Sequence, residues 1–118
     1  MTENLKKTYD LEERTLEFAK CVRNFVKKIP KTTGNLEDGK QLIRSSGSMG
    51  ANYIEANESL SRKDFLMRIK ICRKESKETI YWLKLLDIPE VCVLERNKLV
   101  TEASELMKIF GSIIQKSV

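Results

Sequence analysis

Apolar residues recur every three or four positions along most of this chain, and this spacing predicts four amphipathic α-helices. The predicted helices cover residues 11–28, 36–57, 62–87 and 90–115, joined by short polar connections. Short connections favour antiparallel neighbours, so the expected fold is all-α: an antiparallel up-down-up-down four-helix bundle. A length of 118 residues fits one domain with a single core, and we expect residues 1–118 to form that domain.

The expected helix boundaries rest on capping residues and prolines. Asp10 is the predicted N-cap of the first helix, Asn35 of the second and Ser61 of the third, because short polar side chains satisfy free backbone N–H groups. Pro30 ends the first helix, and Pro89 follows the third, since a proline excludes the preceding residue from a helix.

The middle of the second predicted helix is crowded with small residues, SSGSMG at positions 45–50. Each of its two glycines costs a helix interior roughly 1 kcal/mol relative to alanine, so another interaction must offset that cost. We expect the backbone of a neighbouring helix to approach closely here. The alternative is a cavity or a phosphate site formed by backbone amides, but a GxG without a preceding strand is weak support for it.

The third predicted helix has two apolar faces. At about 100° per residue, one face holds Phe65, Ile69, Cys72, Ser76, Ile80 and Leu83. The second apolar face holds Met67, Ile71, Trp82 and Leu85, with Glu78 among them. Because tryptophan and methionine are enriched in protein interfaces, we predict that these five residues form a subunit interface. The alternative is that the N-terminal segment covers them within one chain, through Leu5 and Tyr9.

The net charge of +5 is spread unevenly along the chain. It is +3 over residues 1–34, −2 over 35–61, +4 over 62–87 and zero over 88–118. The predicted phosphate contacts are Lys20, Arg23 and Lys27 on the first helix, and Lys63, Arg68, Lys70, Lys74, Lys77 and Lys84 on the third. Such stripes are typical of nucleic-acid binders, although a row of lysines is also common on a merely solvated helix face.

The composition of the basic stripe also bears on specificity. The stripe is mostly lysine rather than Arg, Asn or Gln, so we expect contacts to the backbone with little reading of bases. Tyr81 lies within the stripe and could stack on a base, although a lone tyrosine is also a common packing residue on a helix surface.

Several function classes are disfavoured by what the chain lacks. There is no histidine, which removes Ser-His-Asp and Cys-His catalysis and histidine-based metal sites. Cys21, Cys72 and Cys92 are odd in number and far apart, so neither a disulfide framework nor a zinc site is predicted. We predict no catalytic residue, no metal and no cofactor. An enzyme, a third hypothesis, would need a pocket around residues 45–53.

The distribution of apolar residues also bears on the membrane. No apolar run approaches the ~20 residues that a membrane span needs, and the polar N-terminus lacks the apolar core of a secretory signal. We therefore expect a cytoplasmic protein with no membrane partner.

Three stretches carry a resemblance to a known family: SSGSMGANYIEA at residues 45–56, SRKDF at 61–65 and KICRKESKETIYWLKLL at 70–86. At this spacing they resemble the bacterial four-helix bundle family whose founding members are encoded by intervening sequences inside 23S ribosomal RNA genes. The resemblance spans roughly residues 8–115. It implies a four-helix bundle that assembles into a ring, a homopentamer, but it implies no known activity.

The resemblance also suggests partners. One related branch, the accessory protein of diversity-generating retroelements, is a basic pentamer that binds nucleic acid and a reverse transcriptase. Glu78 matches the family's recurrent acidic position, which implies an inter-subunit hydrogen bond or ion pair beside Trp82. Charge and resemblance together predict a non-enzymatic oligomeric scaffold that binds RNA or DNA with low sequence specificity. The alternative is a protein-binding adaptor that uses the second apolar face.

Overall fold

The structure, a computed structural model, describes residues 10–118, and this part of the chain forms four α-helices and a short 3-10 helix. The helices are α1 (Leu11–Lys28), α2 (Thr33–Asn57), α3 (Arg62–Leu85) and α4 (Val93–Ser117), with the 3-10 helix at Glu90–Cys92. The four predicted helices are therefore confirmed, with bounds that differ by a few residues. No helix in the described part of the chain is both long enough and apolar enough to cross a membrane.

Side-chain caps define where the first three helices begin. The cap and recipient pairs are Asp10 with Glu13, Thr32 with Asn35 and Ser61 with Asp64, and in each pair the backbone N–H donates to the cap oxygen at 3.1 Å. Losing such a cap costs about 1 kcal/mol. The predicted caps Asp10 and Ser61 are confirmed. The prediction of Asn35 as the cap of α2 is wrong, because Thr32 caps that helix.

Asn35 instead has a structural role in the first turn of α2. Its Nδ2 donates to the carbonyl oxygens of Pro30 at 3.0 Å and of Asp87 at 2.7 Å. Its Oδ1 accepts from the backbone N–H of Asp87 at 2.9 Å. The side chain is buried, and these three hydrogen bonds satisfy an amide group that would be costly to leave unpaired there. Asn35 thereby joins the α1–α2 connection to the end of α3.

The helices pack in a closed cycle: each contacts the next along the chain, and α1 also contacts α4. Asn57 at the end of α2 donates to Glu12 at the start of α1, and Arg62 at the start of α3 donates to the Ser117 carbonyl at the end of α4. Neighbours are therefore antiparallel, which confirms the up-down-up-down bundle. The diagonal pair α1 and α3 have no Cα atoms within 8 Å of each other. Their outward faces thus lie on opposite sides of the molecule.

The small residues of α2 fit closely against both neighbouring helices. A Cβ added to Gly50 would lie 2.7 Å from Oγ1 of Thr15 on α1, a side chain that is fully buried. Ser45 Oγ lies 2.8 Å from Thr79 Oγ1 on α3. The close approach at Gly50 is to the Thr15 side chain, whereas the Thr15 carbonyl carbon lies 3.9 Å from the added Cβ. Close approach does not account for Gly47, which is exposed and whose added Cβ would meet no atom of the described residues within 4 Å.

Candidate nucleic-acid interface

The acidic side chains in the middle of α3 face α2. Arg44 Nη2 lies 3.3 Å from Glu75 Oε1 and 3.1 Å from Glu78 Oε1. Glu75 is only 5% exposed, so it depends on this partner far more than a surface carboxylate would. These two carboxylates therefore pair with Arg44 on α2 and form no ion pair with the lysines of their own helix.

Arg68, which was predicted to contact phosphate, lies on the same side of α3 as the carboxylates. Its Nη1 donates to Asn52 Oδ1 at 2.9 Å, and Asn52 Nδ2 in turn donates to the carbonyl and hydroxyl oxygens of Ser48, each at 2.9 Å. Arg68 is partly buried in this network. The structure therefore places Arg68 between α3 and α2, apart from the predicted lysines.

The opposite side of α3 forms a shallow groove with α4, with a volume of about 530 Å³. The residues that line this basic groove are Lys70, Arg73, Lys74, Lys77, Met107 and Lys108. All five basic residues are exposed, and none forms an ion pair with a carboxylate of residues 10–118. The groove thus gathers positive charge that the described chain leaves unbalanced.

Two residues of the basic groove were missed by the sequence analysis. Arg73 lies one helical turn before Lys77, so the spacing along α3 was a signal that could have found it. Lys108 lies on α4, whose segment carries no net charge, and only the packing of α4 on α3 brings it beside Lys70 and Lys74. No pattern within either helix indicates that pairing.

The basic groove continues along α3 in both directions. Lys63 lies at the start of the helix and Lys84 near its end, and both are exposed. At about 1.5 Å per residue, these two residues are separated by roughly 30 Å along the helix axis. Tyr81 lies between Lys77 and Lys84 and is 59% exposed. Of the six predicted α3 cations, all except Arg68 are exposed, and their side chains form no hydrogen bond or ion pair with residues 10–118.

The second apolar face lies beside these lysines on the outward surface of α3. Met67 and Leu85 are each 48% exposed, while Ile71 and Trp82 are partly buried. The indole Nε1 of Trp82 is buried and has no acceptor among residues 10–118. A shallow hollow extends from the lysines of α3 to the second apolar face. Its lining residues are Lys63, Asp64, Leu66, Met67, Lys70, Ile71 and Lys74. The two predicted sites therefore adjoin each other. Leu5 and Tyr9 lie outside the described residues.

The predicted basic residues of α1 lie apart from the basic groove. Lys20, Arg23 and Lys27 are exposed on α1, which lies diagonally across the bundle from α3, so one chain does not bring them together with the basic groove. On the side of α1 that faces α4, in contrast, the cations form ion pairs with carboxylates of α4. Arg14 donates to both carboxylate oxygens of Glu102 at 2.8 and 2.9 Å, and this hydrogen bonding raises the pKa of Arg14 above its usual value.

The three cysteines are free thiols, of which Cys21 is exposed and Cys72 and Cys92 are buried. Burial raises the pKa of the Cys72 thiol to about 12, and its Sγ donates to the Met49 carbonyl at 3.4 Å. Cys72 therefore stays neutral at physiological pH and packs as a small apolar residue. Across residues 10–118, no three cysteine or carboxylate side chains gather as metal ligands would.

Comparisons with known proteins agree with the fold and with the motifs. A family model described as 23S rRNA-intervening sequence protein matches residues 7–112. The crystal structure of a protein of unknown function from the S23 ribosomal protein family of Bacteroides thetaiotaomicron is 32% identical. That likeness covers 87% of this chain and 96% of the other, with a TM-score of 0.74. No curated protein matches the chain.

Neither the family description nor the similar structure indicates an enzymatic activity. The matched region contains all three stretches that carried the resemblance, and the helical architecture is the one that the resemblance implied. This chain belongs to the 23S rRNA-intervening sequence protein family.

Proposed function

We propose that this protein is a non-enzymatic, oligomeric scaffold that binds the phosphate backbone of RNA or DNA through the basic groove between α3 and α4. The observation that carries the proposal is the set of five exposed basic residues in that groove, none of them paired with a carboxylate of residues 10–118. A polyanion would gain several cation–phosphate contacts there and release its bound counterions.

The spacing of these cations supports a functional origin. Lys70 is followed at three and four residues by Arg73 and Lys74, and Lys77 lies four residues after Arg73 and three after Lys74. Like charges at such spacings destabilise a helix by a few tenths of a kcal/mol per pair. Glu75 and Glu78 lie on the same helix but balance Arg44 instead. Clustered cations therefore cost the fold a little stability, and a bound polyanion would offset that cost.

Binding in this groove would depend weakly on base sequence. A helix that reads duplex DNA enters a major groove about 12 Å wide, whereas α3 has α2 packed on one side and α4 on the other. Most of the groove's cations are lysines, which contact phosphate as point charges and lack the forked geometry that reads guanine. The proposed contacts are therefore to the backbone.

Oligomerisation is part of the same proposal. The exposed second apolar face supports the burial of that face against another copy. A ring of five is the assembly that the family resemblance implies. A ring would repeat the basic groove once per subunit. The cytoplasmic location stays a prediction.

The test compares two triple variants that remove the same amount of charge. The groove variant carries Lys70→Gln, Lys74→Gln and Lys77→Gln, and the α1 variant carries Lys20→Gln, Arg23→Gln and Lys27→Gln. We expect the groove variant to bind a mixed pool of RNA and DNA oligonucleotides roughly 100-fold more weakly at low salt, and the α1 variant to lose far less. Fluorescence anisotropy measures the binding, and thermal denaturation checks that both variants stay folded.

Three results would count against the proposal. Equal losses in the two variants would mean that net charge alone attracts the nucleic acid and that the groove is not a site. Unchanged binding by the groove variant would show that the basic groove is not the binding site. A wild-type protein that binds no oligonucleotide at low salt would overturn the proposed function.

A second candidate is a protein-binding adaptor, and the exposure of Met67 and Leu85 favours it. In this alternative a heterologous protein covers the second apolar face, and the lysines only increase solubility. Salt separates the two candidates, because phosphate contacts weaken steeply as salt rises while apolar docking changes little.

A further inference from the structure

Tyr81 is the most exposed aromatic side chain that lies among the basic residues of α3, with 59% of its surface accessible. Building on the proposed function, we propose that Tyr81 is a base-stacking platform that makes the α3 surface prefer single-stranded over double-stranded nucleic acid. Its sequence neighbours on the same face are Lys77, one turn before it, and Lys84, one turn after it. A large ring left in water between two cations matches the pairing of aromatic and basic groups on which single strands bind.

The ring is held in position from one side. Its centroid lies 5.1 Å from that of Trp82, and the two ring planes meet at 78°, which is an edge-to-face contact. Trp82 in turn packs against the hydrophobic core. Such a contact orients the Tyr81 ring while leaving more than half of the side chain in solvent. A base that stacks on an already oriented ring loses less conformational entropy on binding.

The spacing along α3 fits a single strand. At 1.5 Å per residue, Tyr81 is about 6 Å from Lys77 and about 4.5 Å from Lys84 along the helix axis. A strand whose phosphates contact both lysines therefore passes over the ring, and an unpaired base of that strand can turn onto it. In a duplex the bases are stacked and paired inside, where a residue on the flank of a bundle cannot reach them. The ring thus adds affinity only for single strands.

The preference should extend to RNA and DNA alike. Every base has a flat aromatic face, so stacking depends little on sequence. The 2′-hydroxyl that separates RNA from DNA lies on the sugar and takes no part in the stack. Tyr81 would therefore select strandedness and leave the choice between the two nucleic acids to other contacts.

The test measures dissociation constants for one sequence as single-stranded RNA, single-stranded DNA and blunt DNA duplex, at the same salt. Wild-type protein is compared with Tyr81→Ala, which removes the ring, and with Tyr81→Phe, which keeps it. Alanine is a strong helix former, so the exposed position should tolerate it. We expect Tyr81→Ala to bind both single strands about 5-fold more weakly or worse and the duplex unchanged, with Tyr81→Phe close to wild type.

Lys77→Gln is the matched control, because it removes a neighbouring cation and keeps the ring. It should weaken the single strands and the duplex by similar factors. If Tyr81→Ala leaves single-strand binding unchanged, or lowers single-strand and duplex binding equally, the platform does not exist while the proposed function stands. If wild-type protein binds none of the three nucleic acids, the proposed function fails and this inference fails with it.

Discussion

Lys74 and Glu75 are adjacent in sequence, yet they lie on two sides of α3 that differ in whether their charged side chains are paired. On the side facing α2, Glu75 and Glu78 pair with Arg44, and Arg68 hydrogen-bonds to Asn52. On the side facing α4, the cations of the basic groove have no carboxylate partner within residues 10–118. The paired side is partly buried and holds two helices together. The unpaired side is exposed, so it contributes little to stability and is free to bind a partner.

The largest contrast should come from reversing each of these two neighbouring charges. Glu75→Lys puts a cation at a position only 5% exposed, beside Arg44, and we expect it to lower the free energy of unfolding by about 3 kcal/mol or more. Lys74→Glu lies on the exposed side and should change stability by less than about 0.5 kcal/mol. Urea denaturation measures both. Similar losses in the two variants would show that the sides do not differ as described.

A second contrast compares the two glycines in the middle of α2. Gly50→Ala forces a methyl group to within 2.7 Å of Thr15 Oγ1, and the Thr15 hydroxyl is already fixed by a 2.7 Å hydrogen bond to the Leu11 carbonyl. We expect a net loss of about 1–2 kcal/mol. Gly47→Ala meets open space and should gain up to about 1 kcal/mol from helix propensity.

Thermal denaturation of the two alanine variants checks the direction of each change. Gly50→Ala should lower the melting temperature and Gly47→Ala should raise it. If both substitutions stabilise the protein, Thr15 yields easily and the contact between α1 and α2 is looser than described here.

A smaller effect is expected at the hydroxyl pair between α2 and α3. Thr79→Val removes the 2.8 Å contact between Thr79 Oγ1 and Ser45 Oγ, while Ser45 keeps its hydrogen bond to the Leu42 carbonyl at 3.3 Å. Because one buried hydroxyl remains partnered, we expect a loss of about 1 kcal/mol by urea denaturation. Thr101→Val, at an exposed position on α4, is the matched control and should lie within about 0.5 kcal/mol of wild type. Equal losses of stability in the two variants would show that the hydroxyl pair does not stabilise the fold.

The cysteines give the smallest effect, a difference in reactivity without a change in fold. Cys21 is exposed, whereas Cys72 is buried against α2 with a pKa of about 12. A thiol reagent should therefore label Cys21 quickly in the native protein and Cys72 only after unfolding. The folded pKa of Cys72 is above the ordinary thiol value, so its contribution to stability is complete below about pH 9. That contribution declines as pH rises towards 12. Fast labelling of Cys72 at neutral pH would contradict the packing described between α2 and α3.

The features that could be predicted from the sequence are those that depend on one helix alone. Periodicity placed the four helices, and the angle about the axis of α3 separated its lysines from its second apolar face. Relations between helices depend on the rotation and axial offset of each pair, which packing sets and which no local pattern records. For that reason no sequence pattern indicates that Lys108 lines the basic groove. The sequence also groups Arg68 with the exposed lysines of α3, and it predicts that Asn35 caps α2. Gly47 and Gly50 were indistinguishable for the same reason.

The salt dependence of binding would decide whether the basic groove contacts phosphate. The measurement is the association constant for a single-stranded oligonucleotide across a range of salt concentrations, for wild-type protein and for the groove variant. Each phosphate contact on a single strand contributes about 0.7 to the slope of log K against log salt, so removing three lysines should flatten that slope by about 2. Equal slopes in the two proteins would contradict the account, because Lys70, Lys74 and Lys77 would then make no phosphate contact.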